Sequence, residues 1–187
     1  TTDFTSVNWV DFNPEQSLFV TASEKNLIIW DALLGSRTIS HSNIAGAEIS
    51  ACSLDDRRRK IVVGTMAGRI DVYNPQNAQL MKSCPWDEAV QGHAVVSLEY
   101  DSDMRRFVAG YANGLMRVYD EGALDDCPLI REYDHFHGHP ELLAIVFNPT
   151  ESSLATAGSS DEWLKLWDYQ SGKMEVEIDV CDESEHI

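Results

Sequence analysis

The sequence has no long apolar run. Its longest, Leu142 to Phe147, is six residues, whereas a helix that crosses a bilayer needs about 20, so no membrane segment is expected. Basic residues are scarce as well: 14 Lys and Arg stand against 31 Asp and Glu, a net charge of −17. Neutralising phosphates takes Lys and Arg, which excludes a nucleic-acid backbone as the main partner. Cysteine is sparse and scattered. Cys52, Cys84, Cys127 and Cys181 form no Cys-x-x-Cys pair, so neither a zinc ribbon nor a thioredoxin-like motif fits, and they read as free thiols. The opening Thr-Thr-Asp-Phe lacks the basic and apolar stretches of a signal peptide. Glycosylation sequons are missing too, the match at Asn148 being blocked by Pro149. An ordinary cytoplasmic globular protein is the expectation.

Repetition is what the chain has in place of these features. The aromatic-acid pair Trp30-Asp31 has counterparts at Tyr73-Asn74, Tyr119-Asp120 and Trp167-Asp168, at intervals of 43, 46 and 48 residues. Nine residues before each aromatic lies Thr21, Gly64, Gly110 or Gly158, and an apolar stretch ends earlier at Phe12, Leu54, Tyr100 or Phe147. Apolar residues alternate before each pair, as in Leu27 and Ile29, Ile70 and Val72, Met116 and Val118, or Leu164 and Leu166. That period of two is the signature of a strand and not of a helix. Turn residues separate the runs, Asn113-Gly114 being the strongest hairpin mark. A fourth run follows each pair, clearest in Met174, Val176, Ile178 and Val180 with acids between. Each repeat therefore reads as four antiparallel strands, a to d.

A four-stranded unit recurring at this period, with a small residue on strand b, a Trp/Tyr-Asp/Asn end and the Gly92-His93 and Gly138-His139 pairs, resembles the WD-repeat β-propeller family. Ser153 to Asp168 carries the resemblance most fully, and it extends over about residues 7 to 180. It implies an all-β fold with four blades, at about 7–40, 48–84, 94–133 and 141–180, and with 181–187 opening a further blade. These four blades are then part of a larger propeller, closed by the remainder of the same chain or by another chain. In that family a His before strand a, a hydroxyl on strand b, an Asp in the b–c turn and the Trp of strand c form a buried network that fixes the blade. The matching residues are His139, Thr156 or Ser159, Asp161 and Trp167 in the fourth blade. The third has His93, Asn113 and Tyr119, the second Tyr73, and the first Glu24 and Trp30.

Chemistry-bearing constellations are few. His135, His137 and His139 would share one face of a strand, but the segment is a loop and no acid or Cys stands at ligand spacing. Asp101-Ser102-Asp103 begins like a calcium loop, yet Arg105 and Arg106 fall where a ligand and the obligatory glycine belong. No nucleophile elbow, phosphate loop or zinc-protease helix is present. No enzyme activity, metal or cofactor is expected.

Two surface features remain. Arg57, Arg58, Arg59 and Lys60 form the only basic run, and Arg105 and Arg106 occupy the same a–b turn of the next blade. Six cations on adjacent turns of an acidic chain read either as solvated turns or as a docking patch for an acidic partner. Trp86 and Phe136, in the d–a loops of the opposite face, read either as apolar anchors for a partner or as aromatics tucked under their own loops. The resemblance implies a non-enzymatic protein–protein interaction scaffold. The repeats look most like the long WD-repeat proteins of cilia and flagella, which would make axonemal proteins or tubulin the partners. A signalling or trafficking adaptor, or a metal-binding or enzymatic propeller, is the alternative.

Overall fold

The computed structural model describes residues 6–14, 16–133, 142–148, 150, 153–158 and 163–180. Four four-stranded antiparallel sheets account for the regular structure. Blade 1 holds β1 (Trp9–Asn13), β2 (Leu18–Ser23), β3 (Asn26–Asp31) and β4 (Arg37–His41). Blade 2 holds β5 (Ile49–Leu54), β6 (Ile61–Thr65), β7 (Ile70–Tyr73) and β8 (Leu80–Ser83). In blade 3 these are β9 (Val95–Asp101), β10 (Arg106–Tyr111), β11 (Met116–Asp120) and β12 (Leu129–Tyr133), and in blade 4 β13 (Leu142–Asn148), β14 (Ser153–Gly158), β15 (Trp163–Asp168) and β16 (Met174–Asp179). Strand order within each sheet follows the chain. No helix of the described residues is long and apolar enough to cross a membrane.

The alternation of side chains builds the packing between blades. Residues i and i+2 of a strand share a face, and here each face of blades 2 and 3 packs on a different neighbour. Leu115 and Tyr119 of blade 3 join a core with Val62, Ile70 and Val72 of blade 2. Met116 and Val118, one residue out of step, join Leu142, Ile145 and Leu154 of blade 4. Both faces being buried explains why β6 and β7 are buried at every position.

Pairing corrects the nine-residue alignment of the repeats. Trp30 lies opposite Phe19, Tyr73 opposite Ile61, Tyr119 opposite Phe107 and Trp167 opposite Leu154. Counting from those partners, the small residue of strand b is Ala22, Gly64, Gly110 and Ala157. Thr21 and Gly158 are each one position out of step, because the first b–c hairpin is shorter and the fourth longer than the middle two. The small residue is needed for the close approach of the next blade. A Cβ on Gly64 would lie 2.6 Å from Val95 Cγ1, and one on Gly110 would meet Ile145 Cδ1 at 2.9 Å and Leu142 Cδ2 closer still.

In blades 2 and 3 the b–c hairpins close on a glycine in the left-handed region, Gly68 and Gly114, both at φ 82°. Their N–H groups donate to Thr65 O and Tyr111 O at 3.0 and 2.9 Å, the turn that a three-residue hairpin loop demands. The c–d pairing shifts register at the residue before the aromatic in all four blades. One strand-d residue, such as Thr38 or Ile130, is thereby left unpaired, a bulge that adds twist at the outer edge.

Candidate partner-binding face

Because strands alternate in direction, the a–b and c–d turns emerge together on one face. On it the a–b turns of blades 2 and 3 are laced to each other and to a c–d turn. Asp56 N–H donates to Ser102 Oγ at 3.0 Å, and Gly122 N–H to Arg105 O at 3.0 Å. Each turn is folded around a buried aspartate. Asp55 accepts from the N–H groups of Arg59 and Lys60 at 2.6 and 2.7 Å, and Asp101 from those of Asp103 and Met104 at 3.0 and 3.1 Å. The backbone of the basic run is therefore fixed by an acid that satisfies its N–H groups.

Between the two turns is a polar cleft of about 470 Å³, lined by Arg57, Arg59, Lys60, Tyr100 and Arg105 together with acids of both turns. Fully buried Glu121 stands beside it. Lys60 Nζ donates to Glu121 Oε1 at 2.6 Å and the Tyr100 hydroxyl to Oε2 at 2.8 Å. Lys82 Nζ lies 3.5 Å from Oε1, and Arg105 Nε 3.7 Å from Oε2. Lys82 also donates to the carbonyls of Glu121 and Ala123. Burial alone would push the carboxyl up, but the hydrogen bonds from Lys60 and Tyr100 and the charges of both lysines outweigh it, so Glu121 sits below the usual glutamate range. Burial, then the neighbouring carboxylate, pushes Tyr100 upward, which keeps its proton in place as the donor.

This cluster joins blade 2 to blade 3, and it uses cations that the sequence offers as a docking patch. Lys60 is committed to Glu121, Arg58 to Asp11 of blade 1, and Arg105 leans on Glu121. Arg106 contacts Met104 Sδ at 3.7 Å, and its Nε is buried. Arg57 and Arg59 are exposed and make no ion pair among the described residues. Sequence reasoning missed Glu121, Lys82 and Tyr100. The available signal was an acid at a position where the other repeats have Ala32, Pro75 and Tyr169.

The remaining predicted residues fall elsewhere. Trp30 Nε1 donates to Thr21 Oγ1 at 2.8 Å, and Trp167 Nε1 to Thr156 Oγ1 at 3.0 Å. Where the aromatic is Tyr, which has no ring N–H to satisfy there, the hydroxyl-bearing position becomes Val63 or Ala109. Tyr73 instead donates to Asp71 at 3.3 Å, and Tyr119 shares a hydrogen bond with Tyr111 at 2.8 Å. His93 is exposed and not enclosed with Tyr119, because its loop folds back so that His93 N–H reaches Val90 O. Asn113 reaches Ala89 O through Nδ2, tying its hairpin to that same loop. Trp86 is 46% exposed while its indole N–H donates to Ala67 O at 3.2 Å. It is thus both tethered and available. His139, Asp161, Phe136, His135, His137 and Ser159 lie outside the described residues.

Chemically the site holds opposite charges in place. Its tyrosine keeps its proton and its glutamate is paired on both oxygens, so neither is poised to move a proton. Among the described residues no group of three or more His, Cys, Asp or Glu is placed to hold a metal. Cys52 is fully buried and its thiol is pushed up by that burial.

Comparison with known proteins agrees with this architecture. The family model described as WD domain, G-beta repeat matches residues 2–31 and 130–168. The chain is 25% identical over 170 residues to the WD repeat-containing protein SL1-17 of Schistosoma mansoni, covering 89% of this chain and 52% of that protein. It is 30% identical over 74 residues to the cilia- and flagella-associated protein 337 B of Tetrahymena thermophila, covering 40% of this chain and 6% of that protein. The chain thus spans about half the length of one relative and a small part of the other.

Proposed function

This chain belongs to the WD-repeat family, and on that premise we propose that it is a rigid, non-enzymatic scaffold for protein–protein assembly that docks an acidic partner beside Arg57 and Arg59. The observation that carries this reading is the division of labour on the a–b face. Lys60, Lys82 and Arg105 are engaged with Glu121, while Arg57 and Arg59 are left exposed on a base those contacts make rigid. Exposed cations of this kind steer encounter with a negatively charged surface.

The Tetrahymena relative is named for cilia and flagella, which supports placing this chain in the axoneme, with tubulin or an axonemal protein as the acidic partner. In the whole protein, further blades cover the apolar flanks left here, Val10, Phe12 and Phe19 on blade 1 and Val146, Val176 and Ile178 on blade 4, all of them exposed.

The test is binding kinetics of the full-length protein on purified microtubules at two ionic strengths. Arg57→Ser with Arg59→Ser should slow association and weaken its salt dependence while leaving stability within about 0.5 kcal/mol. Unchanged kinetics in the double variant would remove the patch, and absence of binding by the unaltered protein would remove tubulin as the partner.

A further inference from the structure

Two of the cysteines meet across the joint between blades 2 and 3. Cys84 extends β8, its N–H donating to Ile70 O at 3.0 Å, and Cys127, in the c–d loop of blade 3, donates its N–H to Ser83 O at 3.3 Å. The outer strand of one blade is thereby laced to a loop of the next, which brings both thiols into the same joint. Both are free and buried in one apolar core with Val90, Tyr111 and Tyr119. The cover is thin: Pro85, Trp86, Asp126 and Pro128 on either side are exposed.

We propose that Cys84 and Cys127 are a modification site, which a hydroperoxide converts into a disulfide bonding blade 2 to blade 3. Cys84 is the first to react, since it is 8% exposed against 0% for Cys127. Its sulfur attacks one peroxide oxygen, the O–O bond breaks, and Cys84 becomes a sulfenic acid while water or an alcohol leaves carrying the thiol proton. The Cys127 sulfur then attacks the sulfenic sulfur. The S–S bond forms, the S–O bond breaks, and the hydroxide departs with the Cys127 proton as water. The thiols lose two electrons and the peroxide gains two. Burial keeps Cys84 protonated, so the first step is slow and proceeds through local opening of the 121–128 loop. Cys52, equally buried but without a thiol partner in its core, is the internal control.

The link joins residues 43 positions apart, so oxidation should raise the thermal midpoint by roughly 5 to 10 °C. The experiment exposes the full-length protein to hydrogen peroxide, blocks residual thiols, and maps the digest by mass spectrometry without reduction. The expected product is the Cys84 peptide joined to the Cys127 peptide, two hydrogens lighter and separated again by dithiothreitol. Cys127→Ser should instead leave a Cys84 sulfenic acid that dimedone labels, and Cys84→Ser should leave Cys127 unmodified. Recovery of both thiols intact from the unaltered protein, or linkage of either to Cys52 or Cys181, would overturn the assignment.

Discussion

Lys60 and Glu121 lie 61 residues apart and meet at 2.6 Å, joining the start of strand b in blade 2 to the end of strand c in blade 3. The carboxylate is wholly buried and the side chains of Lys60 and Lys82 are only 18% and 12% exposed. Removing the anion therefore strands two nearly buried cations. Glu121→Gln should destabilise the protein by about 2 to 4 kcal/mol at neutral pH, measured by urea titration. Since the native carboxyl lies below its unfolded value, its contribution is present above the unfolded value and disappears as pH falls through the native one. The stabilities of Glu121→Gln and the unaltered protein should thus converge in acid. A gap that persists there would show that lost packing, and not lost charge, is the cause.

Glu99 predicts the opposite slope. It lines a cleft with Asp11, Asp56, Arg58 and Tyr100, and burial first, then the charge of Asp11, raises it from 4.5 to about 7. A carboxyl raised in the native state favours folding while protonated, so its contribution is complete below 4.5 and lost as pH rises through about 7. Glu99→Gln, neutral throughout, should remove that part of the decline and be more stable than the unaltered protein at pH above 7. Thermal melts of both proteins across this range check it, and parallel curves would contradict it.

The indole of Trp30 depends on a hydroxyl placed for it. Thr21→Val keeps the shape but leaves Trp30 Nε1 without its acceptor, which should cost about 1 kcal/mol. The reciprocal change Val63→Thr puts a hydroxyl in fully buried surroundings, two residues along β6 from the partner of Tyr73, where no indole waits for it, and should cost about 1 to 3 kcal/mol. Denaturant titration of the two variants tests the pairing of hydroxyl with Trp and of apolar residue with Tyr.

At the blade joints, Gly64→Ala and Gly110→Ala should both destabilise, by about 1 to 3 kcal/mol. Gly64→Ala should be the worse of the two. Its new methyl meets the Cβ of β-branched Val95 at 2.7 Å, whereas at Gly110 it meets the far ends of Leu142 and Ile145, which can turn aside. A reversed order in chemical denaturation would mean that the third joint is the more rigid.

The strands, their order and the four-fold repetition were legible in the sequence because they rest on local chemistry. Alternation of period two, Asn-Gly and Asx turns, and the aromatic-acid endings act over a few residues, and the all-β fold of four-stranded blades follows from them. Register was less legible. A spacing of nine residues pointed to Thr21 and Gly158, but the length of the b–c hairpin, visible only in cross-strand pairing, moves the small residue to Ala22 and Ala157. Tertiary structure alone decided which cations remain available. Arg57 and Lys60 are three residues apart and alike in sequence terms, yet one is exposed and the other lies against a buried acid of the next blade. The same holds for Cys84 and Cys127, whose sharing of one joint depends on how an outer strand meets its neighbour's loop. Contacts between blades are made by residues tens of positions apart, and no local pattern records which of them converge.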